Sequence, residues 1–408
     1  MKKLQVLLLI GIMLLTGGCW DRTEISDLGL IVATGADLVK EDGEDKVWMT
    51  LQMANPVAMV PGGGGGGAGA PRAFWTVSGM GRSVRTASIA VAERIPKRLF
   101  WGQNRVFIVG EEAARRNIIP FLDRPLRGHS TRRNTYLVVA RGTAKKVLEV
   151  EMPTFRASGL ALNNILELEG GTEAIMPVTL NDFAYRLGSK VTAPVAPVVS
   201  VVPQTSLTVE DIKVPGGPSP TIDISGIAVF NPEGRLLDFL NKEETLGLML
   251  VLNKSKEREI TVACPVKGPQ EPVIMHLVRS NSRTVVHMDE KGIPSIEVKI
   301  RTICDLWEHF GSHPGMTGIP YVQSLEKRVN THIEKEIKMV VSRAQELNTD
   351  IFGFGEEVRR QHRDEWLQLG NHWSEIFPGL EVTVSAETSL RHRGLTIEAP
   401  GARKEHLL

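Results

Sequence analysis

The longest periodic pattern in the chain runs from Tyr321 to Leu347, where apolar residues recur at steps of three and four. Such steps place the apolar side chains on one stripe of an α-helix, because the helix completes a turn about every 3.6 residues. The pattern predicts a single long helix, capped at Asn348, that lies with its stripe on a sheet. The stripe consists of Val322, Leu325, Val329, Ile333, Ile337, Val340, Ala344 and Leu347.

Strands are predicted where apolar and polar residues alternate, or where short apolar runs are bounded by turn residues. In the stretch 296–303, Ile296, Val298 and Ile300 share one face, and charged residues occupy the other. Strands and helices that follow one another in this way predict α and β elements packed together, rather than a helical bundle or a β-sandwich. The predicted strands are 28–39, 47–53, 74–77, 105–109, 136–140, 222–230, 235–240, 259–264, 274–280, 284–288, 296–303 and 381–390. The shorter predicted helices are 83–95, one that starts at Glu111, 143–148, 160–168, 181–187, 243–250 and 356–369.

The first eighteen residues have the pattern of an export signal. Two lysines precede an apolar run over 4–15, which is shorter than the roughly 20 residues of a membrane-spanning helix. Glycines at 17 and 18 then precede Cys19. We expect cleavage before Cys19 and attachment of a diacylglycerol to its thiol. The alternative is an ordinary signal peptide followed by a chance cysteine, and Thr16 departs from the stricter lipoprotein pattern, which has leucine at that place.

The chain is long enough for several domains. Removal of the signal peptide, residues 1–18, leaves 390 of the 408 residues, which predicts two or three domains. Composition changes near residue 205, and turn residues accumulate just beyond it, so the main boundary is placed there. The predicted units are an N-terminal region over 19–204 and a C-terminal domain over 205–400. Six glycines at 62–67 lack the Lys-Ser/Thr of a phosphate-binding loop and predict a flexible loop.

Charge, cysteine content and hydropathy bear on the partners, the disulfides and the membrane attachment of the chain. The chain has 48 Lys and Arg against 47 Asp and Glu, so it has no overall basic surface, and we expect no nucleic-acid partner. Beyond Cys19 only Cys264 and Cys304 remain, and a disulfide between them and two unpaired buried thiols both stay open. No later segment reads as a transmembrane helix. The lipid on Cys19 is therefore the only membrane attachment that the sequence predicts.

Few residue clusters have the spacing of a chemical site. His309 and His313 are four residues apart, but Gly311 and Pro314 oppose a helix there, so a loop or surface pair is favoured over a metal site. The acidic pairs at 111–112 and 243–244 are interpreted as helix-start charges. The arginines at 124, 127, 132 and 133 form a basic cluster, for which a solvated loop is favoured over a contact with acidic lipids or an acidic partner. We therefore expect no catalytic, metal or cofactor site and no enzyme.

Several short motifs follow the order and spacing of a known family. The start Cys19-Trp20-Asp21-Arg22, with Glu24-Ile25 and Leu28-Gly29 after it, resembles the mature start of the C subunits of spore germinant receptors, the GerAC or Ger(x)C lipoprotein family. The resemblance runs along nearly the whole chain. The later matching stretches are 105–113 (RVFIVGEEA), 226–230 (GIAVF) with Leu240 and 243–245, then Gln345, 350–355 (DIFGFG), Trp366 and Trp373.

The resemblance implies a non-enzymatic lipoprotein, without a cofactor, on the outer face of the spore inner membrane. It implies assembly with two integral membrane partners, an A subunit and a transporter-like B subunit thought to sense nutrients. It also implies three α+β domains. Two of them, about 19–55 with 150–204 and 56–149, form the N-terminal region, and helices pack on a mixed sheet in the C-terminal domain.

Two classes of function remain in view. One is an assembly subunit of a membrane signalling complex, and the alternative is a lipid-anchored solute-binding protein that serves a transporter. A solute-binding protein would have two similar α/β lobes around a cleft. The unlike halves of this chain and its long C-terminal helix favour the assembly subunit.

Overall fold

A computed structural model describes residues 24–55, 74–128, 131–151, 157–168, 174–189, 191–203, 220–255, 257–266, 268–309 and 318–392, together with Gln5. Within these residues the chain forms two β-sheets, with helices packed on both. The α+β class predicted from the sequence is confirmed. The predicted positions Cys19 and His313 and the glycines at 62–67 lie outside the described residues.

The first sheet has parallel strands at its centre and antiparallel strands on both sides. Its order is β3-β2-β1-β5-β6-β7-β8-β9, with the short β4 paired to β1. The five residues of β5 are all buried, which is typical of a parallel strand covered on both faces. The strands are β1 Leu28–Glu41, β2 Glu44–Ala54, β3 Phe74–Gly81, β4 Arg98–Phe100, β5 Val106–Gly110, β6 Tyr136–Ala140, β7 Val195–Pro203, β8 Pro220–Phe230 and β9 Leu236–Leu240.

Helices cover both faces of the first sheet. One buried cluster contains residues of α4 and α5 together with every second residue of β5 and β6, and a second cluster packs α1, α2, α3 and α6 on the opposite face. The alternation of strand side chains explains this division, because successive residues point to opposite faces. The helices are α1 Val84–Ala92, α2 Glu111–Arg116, α3 Ile119–Arg127, α4 Ala144–Leu148, α5 Ser158–Glu167 and α6 Leu180–Gly188.

The second sheet is mixed and has one covered face. Its order is β10-β11-β12-β13, antiparallel except for the parallel pair β12 and β13. As predicted, Ile296, Val298 and Ile300 are buried, and the charged residues between them lie on the open face. The strands are β10 Arg258–Cys264, β11 Gly268–Met288, β12 Pro294–His309 and β13 Glu381–His392. The helices are α7 Lys242–Val251, α8 Ile319–Glu346, α9 Phe354–Gln361, α10 Arg363–Leu369 and α11 Trp373–Ile376.

The predicted long helix is α8, and its apolar stripe faces the second sheet. Leu325, Val329, Ile333, Ile337 and Val340 are all fully buried. The predicted cap is displaced by one residue, because the helix is capped at Leu347. Asn348 follows with a φ of 48°, the left-handed conformation common just after a helix end.

Predicted elements differ from the structure along β11 and between α9 and α10. The predicted strands 274–280 and 284–288 are one strand, β11, because residues 281 and 282 stay paired to β12 and the side chain of Asn253 bonds both backbone groups of Ser282. The predicted helix 356–369 is interrupted at His362, which has a φ of −135° and lies between α9 and α10. There the side chain of Gln361 accepts a hydrogen bond from the backbone N–H of Val286 at 3.0 Å, which ties the end of α9 to β11.

The first sheet continues across the predicted domain boundary near residue 205. Strands β8 and β9 fall in the predicted C-terminal domain, but β8 pairs with β7 and β9 pairs with β8, so both complete the first sheet. The strands of the two predicted N-terminal subdomains also lie side by side in that sheet. One buried cluster then runs from Ile227 through Leu248 of α7 to Leu277 and Ile333. The two sheets therefore share a core, and the division into three domains stays a prediction.

Candidate functional site

The described residues contain neither a metal cluster nor a membrane-spanning helix. No group of three or more His, Cys, Asp or Glu side chains in the described ranges has the arrangement of a metal site. None of the described helices combines the length and the apolar character needed to cross a bilayer. Since Cys19 lies outside these ranges, lipidation stays a prediction.

The one described member of the predicted histidine pair, His309, is the last residue of β12 rather than part of a loop. Its Nε2 lies 2.7 Å from the hydroxyl of Tyr321 and 3.8 Å from Sγ of Cys264. Burial raises the pKa of Tyr321 and so keeps its hydroxyl protonated. This contact joins the end of β10, the end of β12 and the first turn of α8.

The two remaining cysteines are free thiols, and both are buried. The sequence left open a disulfide or two unpaired thiols, and the structure has the two unpaired thiols. Burial raises the pKa of Cys304 to about 12, so its thiol is neutral at physiological pH. A neutral, buried thiol behaves as a small apolar side chain, because the thiolate is the reactive form.

The acidic pairs and the arginine cluster have structural partners. Glu111 accepts hydrogen bonds from Arg115 and from the backbone of Gly142. Glu244 and Asn241 exchange side-chain-to-backbone hydrogen bonds in a capping box at the start of α7. Arg127 pairs with Asp123 at 2.6 Å, and both side chains are exposed. These contacts agree with the predicted helix-start charges. The predicted loop is wrong for Arg124 and Arg127, which lie in the last turn of α3, but the exposed pair with Asp123 agrees with a solvated position.

The carboxylate of Asp350 accepts five hydrogen bonds. In the sequence this residue stands out only as part of the family motif 350–355. One oxygen accepts from the backbone N–H groups of residues 352, 353 and 354, and the other accepts from the N–H of Gly355 and the indole of Trp373. Burial raises the pKa of this carboxyl group, and the donated hydrogen bonds oppose that rise. Gly353 has a φ of 80°, and no side chain fits at Gly355 beside Trp373.

The turn around Asp350 also joins the two halves of the chain. Its carbonyl accepts a hydrogen bond from Ala193 N–H at 2.8 Å. The guanidinium of Arg186, at the end of α6, donates to the carbonyl of Ile351 at 2.9 Å. Because residues 186–193 lead directly into β7, these bonds fix the start of α9 against the first sheet.

A second buried carboxylate, Asp37, lies within the apolar run of β1. Its two oxygens accept hydrogen bonds from the backbone N–H groups of Ala144 and Lys145, at 2.7 and 3.0 Å. Burial raises the pKa of Asp37, and these two bonds oppose the rise. The side chain thus satisfies donors at the first turn of α4, which have no partner within the helix. An aspartate inside an apolar strand is the only sequence signal for this contact.

A buried ion pair joins β10 to α8. The guanidinium of Arg258 donates to both carboxylate oxygens of Glu336, at 3.1 and 2.5 Å. His332, one helical turn earlier, lies 3.1 Å from the same carboxylate. Burial raises the pKa of Glu336, but the hydrogen bonds from His332 and Arg258 outweigh it and leave the pKa below its ordinary value.

Family models match both halves of the chain. Residues 21–201 match the spore germination protein N-terminal domain, and residues 225–394 match the spore germination B3/GerAC-like C-terminal domain. The gap between the matches contains the predicted boundary near residue 205.

Curated proteins of Bacillus subtilis (strain 168) match along almost their full length. Spore germination protein KC is 26% identical over 405 residues, with 96% of each chain covered. The putative spore germination protein YfkR is 27% identical over 387 residues, which cover 94% of this chain and 95% of that protein. Spore germination protein B3 is 23% identical over 366 residues, which cover 88% of this chain and 90% of that protein.

A solved structure has the same fold. The crystal structure of the GerBC protein aligns with a TM-score of 0.55 and 17% identity, and the alignment covers 91% of this chain and 99% of that one. With two family domains matched in order over nearly all of its length, the chain belongs to the GerAC family of spore germination proteins.

Proposed function

We propose that the chain is the lipid-anchored, non-enzymatic C subunit of a spore germinant receptor. A diacylglycerol on Cys19 holds it at the outer face of the spore inner membrane. It assembles with the integral membrane A and B subunits of the receptor and is needed for nutrient-triggered germination. The observation that carries the proposal is the match of both family domains, over residues 21–201 and 225–394.

The position of Cys19 supports the anchoring step. The N-terminal family domain starts at residue 21, so cleavage before Cys19 leaves that domain intact. Strand β1 starts at Leu28. Only eight residues, 20–27, separate Cys19 from β1, and a chain of that length reaches at most about 28 Å. A subunit anchored at Cys19 therefore keeps its first sheet close to the membrane, and the two acyl chains of a diacylglycerol provide stable attachment.

The bonding of the buried polar side chains supports a non-enzymatic role. Asp37 and Asp350 satisfy backbone donors at helix starts, and Glu336 pairs with Arg258. Catalytic acids and bases must instead reach a substrate from a cleft. These groups hold the fold together and leave recognition to exposed surfaces.

The shared core favours an assembly subunit over a solute-binding protein of a transporter. A solute-binding protein needs two similar lobes that close over a cleft. Here the two sheets differ in strand order, and a continuous buried cluster joins them through α7. Such a core resists the relative movement that closure requires.

Lipid anchoring predicts a modified N-terminus in the mature chain. Mass spectrometry of the chain from spore membranes should find a diacylglyceryl-cysteine at Cys19, because the signal pattern places cleavage there. The Cys19→Ala variant should leave the membrane fraction without a change in its circular dichroism, since no described element includes that residue. An intact bond between residues 18 and 19, or a wild-type chain recovered in the soluble fraction, would contradict lipid anchoring.

A further inference from the structure

An open groove runs along the outer edge of the second sheet. It has a volume of about 570 Å³ and lies between the stretch 261–263 of β10 and one flank of α8. β10 is the first strand of this sheet, and no described strand pairs with its other side. We call this feature the α8–β10 groove. Its wall on the helix is formed by Ser324, Lys327, Arg328, Thr331, His332 and Lys335.

Cations and hydroxyl groups line the helix wall of the groove, whereas β10 contributes Thr261, Val262 and Ala263. The carboxylates of α8 are directed elsewhere. Glu326 and Glu334 accept hydrogen bonds from the backbone N–H groups of Leu390 and Ala386, on β13 at the opposite end of the sheet. Glu336 is neutralised by Arg258. One flank of α8 therefore bonds the strand β13 with carboxylates, and the other presents positive charge beside β10.

The groove is rigid at both ends. At one end, the buried pair Arg258–Glu336 fixes the start of β10 to α8. At the other end, His309 bonds the hydroxyl of Tyr321 and lies beside Cys264, the last residue of β10. A site whose walls are already fixed loses little entropy when a partner binds.

One donor beside the groove has no acceptor. Nε of Arg328 is buried and has no hydrogen-bond partner among the described residues. A buried donor left without an acceptor is unfavourable, and a carboxylate is the acceptor that a guanidinium bonds most strongly. An anionic occupant of the groove would supply a charged acceptor to the guanidinium of Arg328, which lines the helix wall.

We propose that the α8–β10 groove binds an extended acidic segment of a partner protein, which pairs with β10 as an added strand. This inference rests on the proposed function, because the partner is taken to be another protein of the receptor complex. Strand addition to an exposed sheet edge beside a helix is an established way of binding peptides. Backbone hydrogen bonds to β10 supply affinity, and carboxylates that meet Lys327, Arg328 and Lys335 supply specificity.

The length of the helix wall and the spacing of its side chains match those of an extended segment. From Ser324 to Lys335 the helix rises by about 17 Å, which corresponds to about five residues of an extended strand. Residues four apart on the helix, such as Lys327 and Thr331, are separated by a rise of about 6 Å. Alternate residues of a strand are separated by a similar distance, about 6.6 Å. We therefore expect Asp or Glu at every second position of the bound segment. A lipid headgroup would bond the cations but leave the strand edge unpaired, which favours a polypeptide.

Photo-crosslinking of the full-length chain in spores tests the proposal. A photoreactive phenylalanine analogue at Thr331, which is exposed in the groove wall, should form an adduct with an Asp- or Glu-containing segment of another protein. Mass spectrometry identifies the adduct. An adduct with lipid or with this chain itself would overturn the proposal, as would the absence of any adduct when the wild-type complex is present.

Charge reversal gives a second measurement. Lys327→Glu combined with Lys335→Glu should reduce recovery of the crosslinked protein on the order of tenfold, because like charges then face each other. Both lysines are exposed, so the variant should keep the wild-type circular dichroism. Lys338→Glu, an exposed position one turn beyond the groove, is the matched control and should keep normal recovery. Equal recovery with the double variant would overturn the proposal.

The experiments distinguish a failure of the proposed function from a failure of the groove proposal. If the wild-type chain recovers no integral membrane partner, the proposed function fails, and the partner of the groove is then not a receptor protein. An adduct at Thr331 that maps to an extended Asp- or Glu-containing segment still supports peptide binding by the groove. If the membrane partners are recovered normally but the adduct is absent, only the groove is wrong.

Discussion

Replacing Asp350 with alanine should lower the free energy of unfolding by about 3 to 6 kcal/mol, because several buried donors lose their acceptor at once. These donors are the backbone N–H groups of residues 352–355 and the indole of Trp373. Asp350 is only 5% exposed, so water does not replace the lost carboxylate. Urea unfolding of the purified chain, followed by circular dichroism, measures the loss.

Two variants control for the change of side chain. Asp350→Asn keeps one acceptor oxygen and should lose about half as much stability. Asp364→Ala removes an exposed aspartate from α10 and should change the free energy of unfolding by no more than about 0.5 kcal/mol. If Asp350→Ala were as stable as Asp364→Ala, the carboxylate would not hold this turn together.

Replacing Glu336 with methionine should lower the free energy of unfolding by about 3 to 5 kcal/mol, because Arg258 is left buried without a counter-ion. The side chains of Arg258 and Glu336 are only 2% and 7% exposed. The double variant Arg258→Met with Glu336→Met removes both charges and should recover most of the lost stability. A single variant that is more stable than the double variant would contradict this account of the pair.

The same pair predicts a dependence on pH. The pKa of Glu336 is lowered in the folded chain, so its contribution to stability is complete above the unfolded pKa of about 4.3. That contribution is lost as the pH falls through the lower, folded pKa. Between pH 7 and pH 3 the wild-type chain should therefore lose more stability than the double variant, as measured by urea unfolding. An equal loss in both chains would show that other carboxylates account for the acid sensitivity.

The sequence predicted elements best where one face of an element is buried. The stripe of α8 and the alternation of β12 follow directly from contact with a single core, so their periods are clear. Strand β7 was not predicted, because Pro197 argues against a strand. In the structure a register shift lies between Pro197 and Val199, and such bulges tolerate proline.

Contacts between distant residues could not be predicted from local patterns. Arg258 and Glu336 are 78 residues apart, and only the packing of α8 on β10 brings them together. The motif 350–355 was recognised from the family, but its sequence does not show that five donors converge on one carboxylate. Similarly, β8 and β9 join the first sheet because β8 pairs with β7 across the predicted boundary and β9 pairs with β8.

Affinity isolation of the wild-type chain from detergent-solubilised spore inner membranes tests the central claim most directly. The account predicts that two integral membrane proteins, the A and B subunits, are recovered with it in comparable amounts. It also predicts that the Cys19→Ala chain recovers neither of them from the membrane fraction. Recovery of the wild-type chain alone, from membranes that contain both subunits, would contradict the proposed assembly.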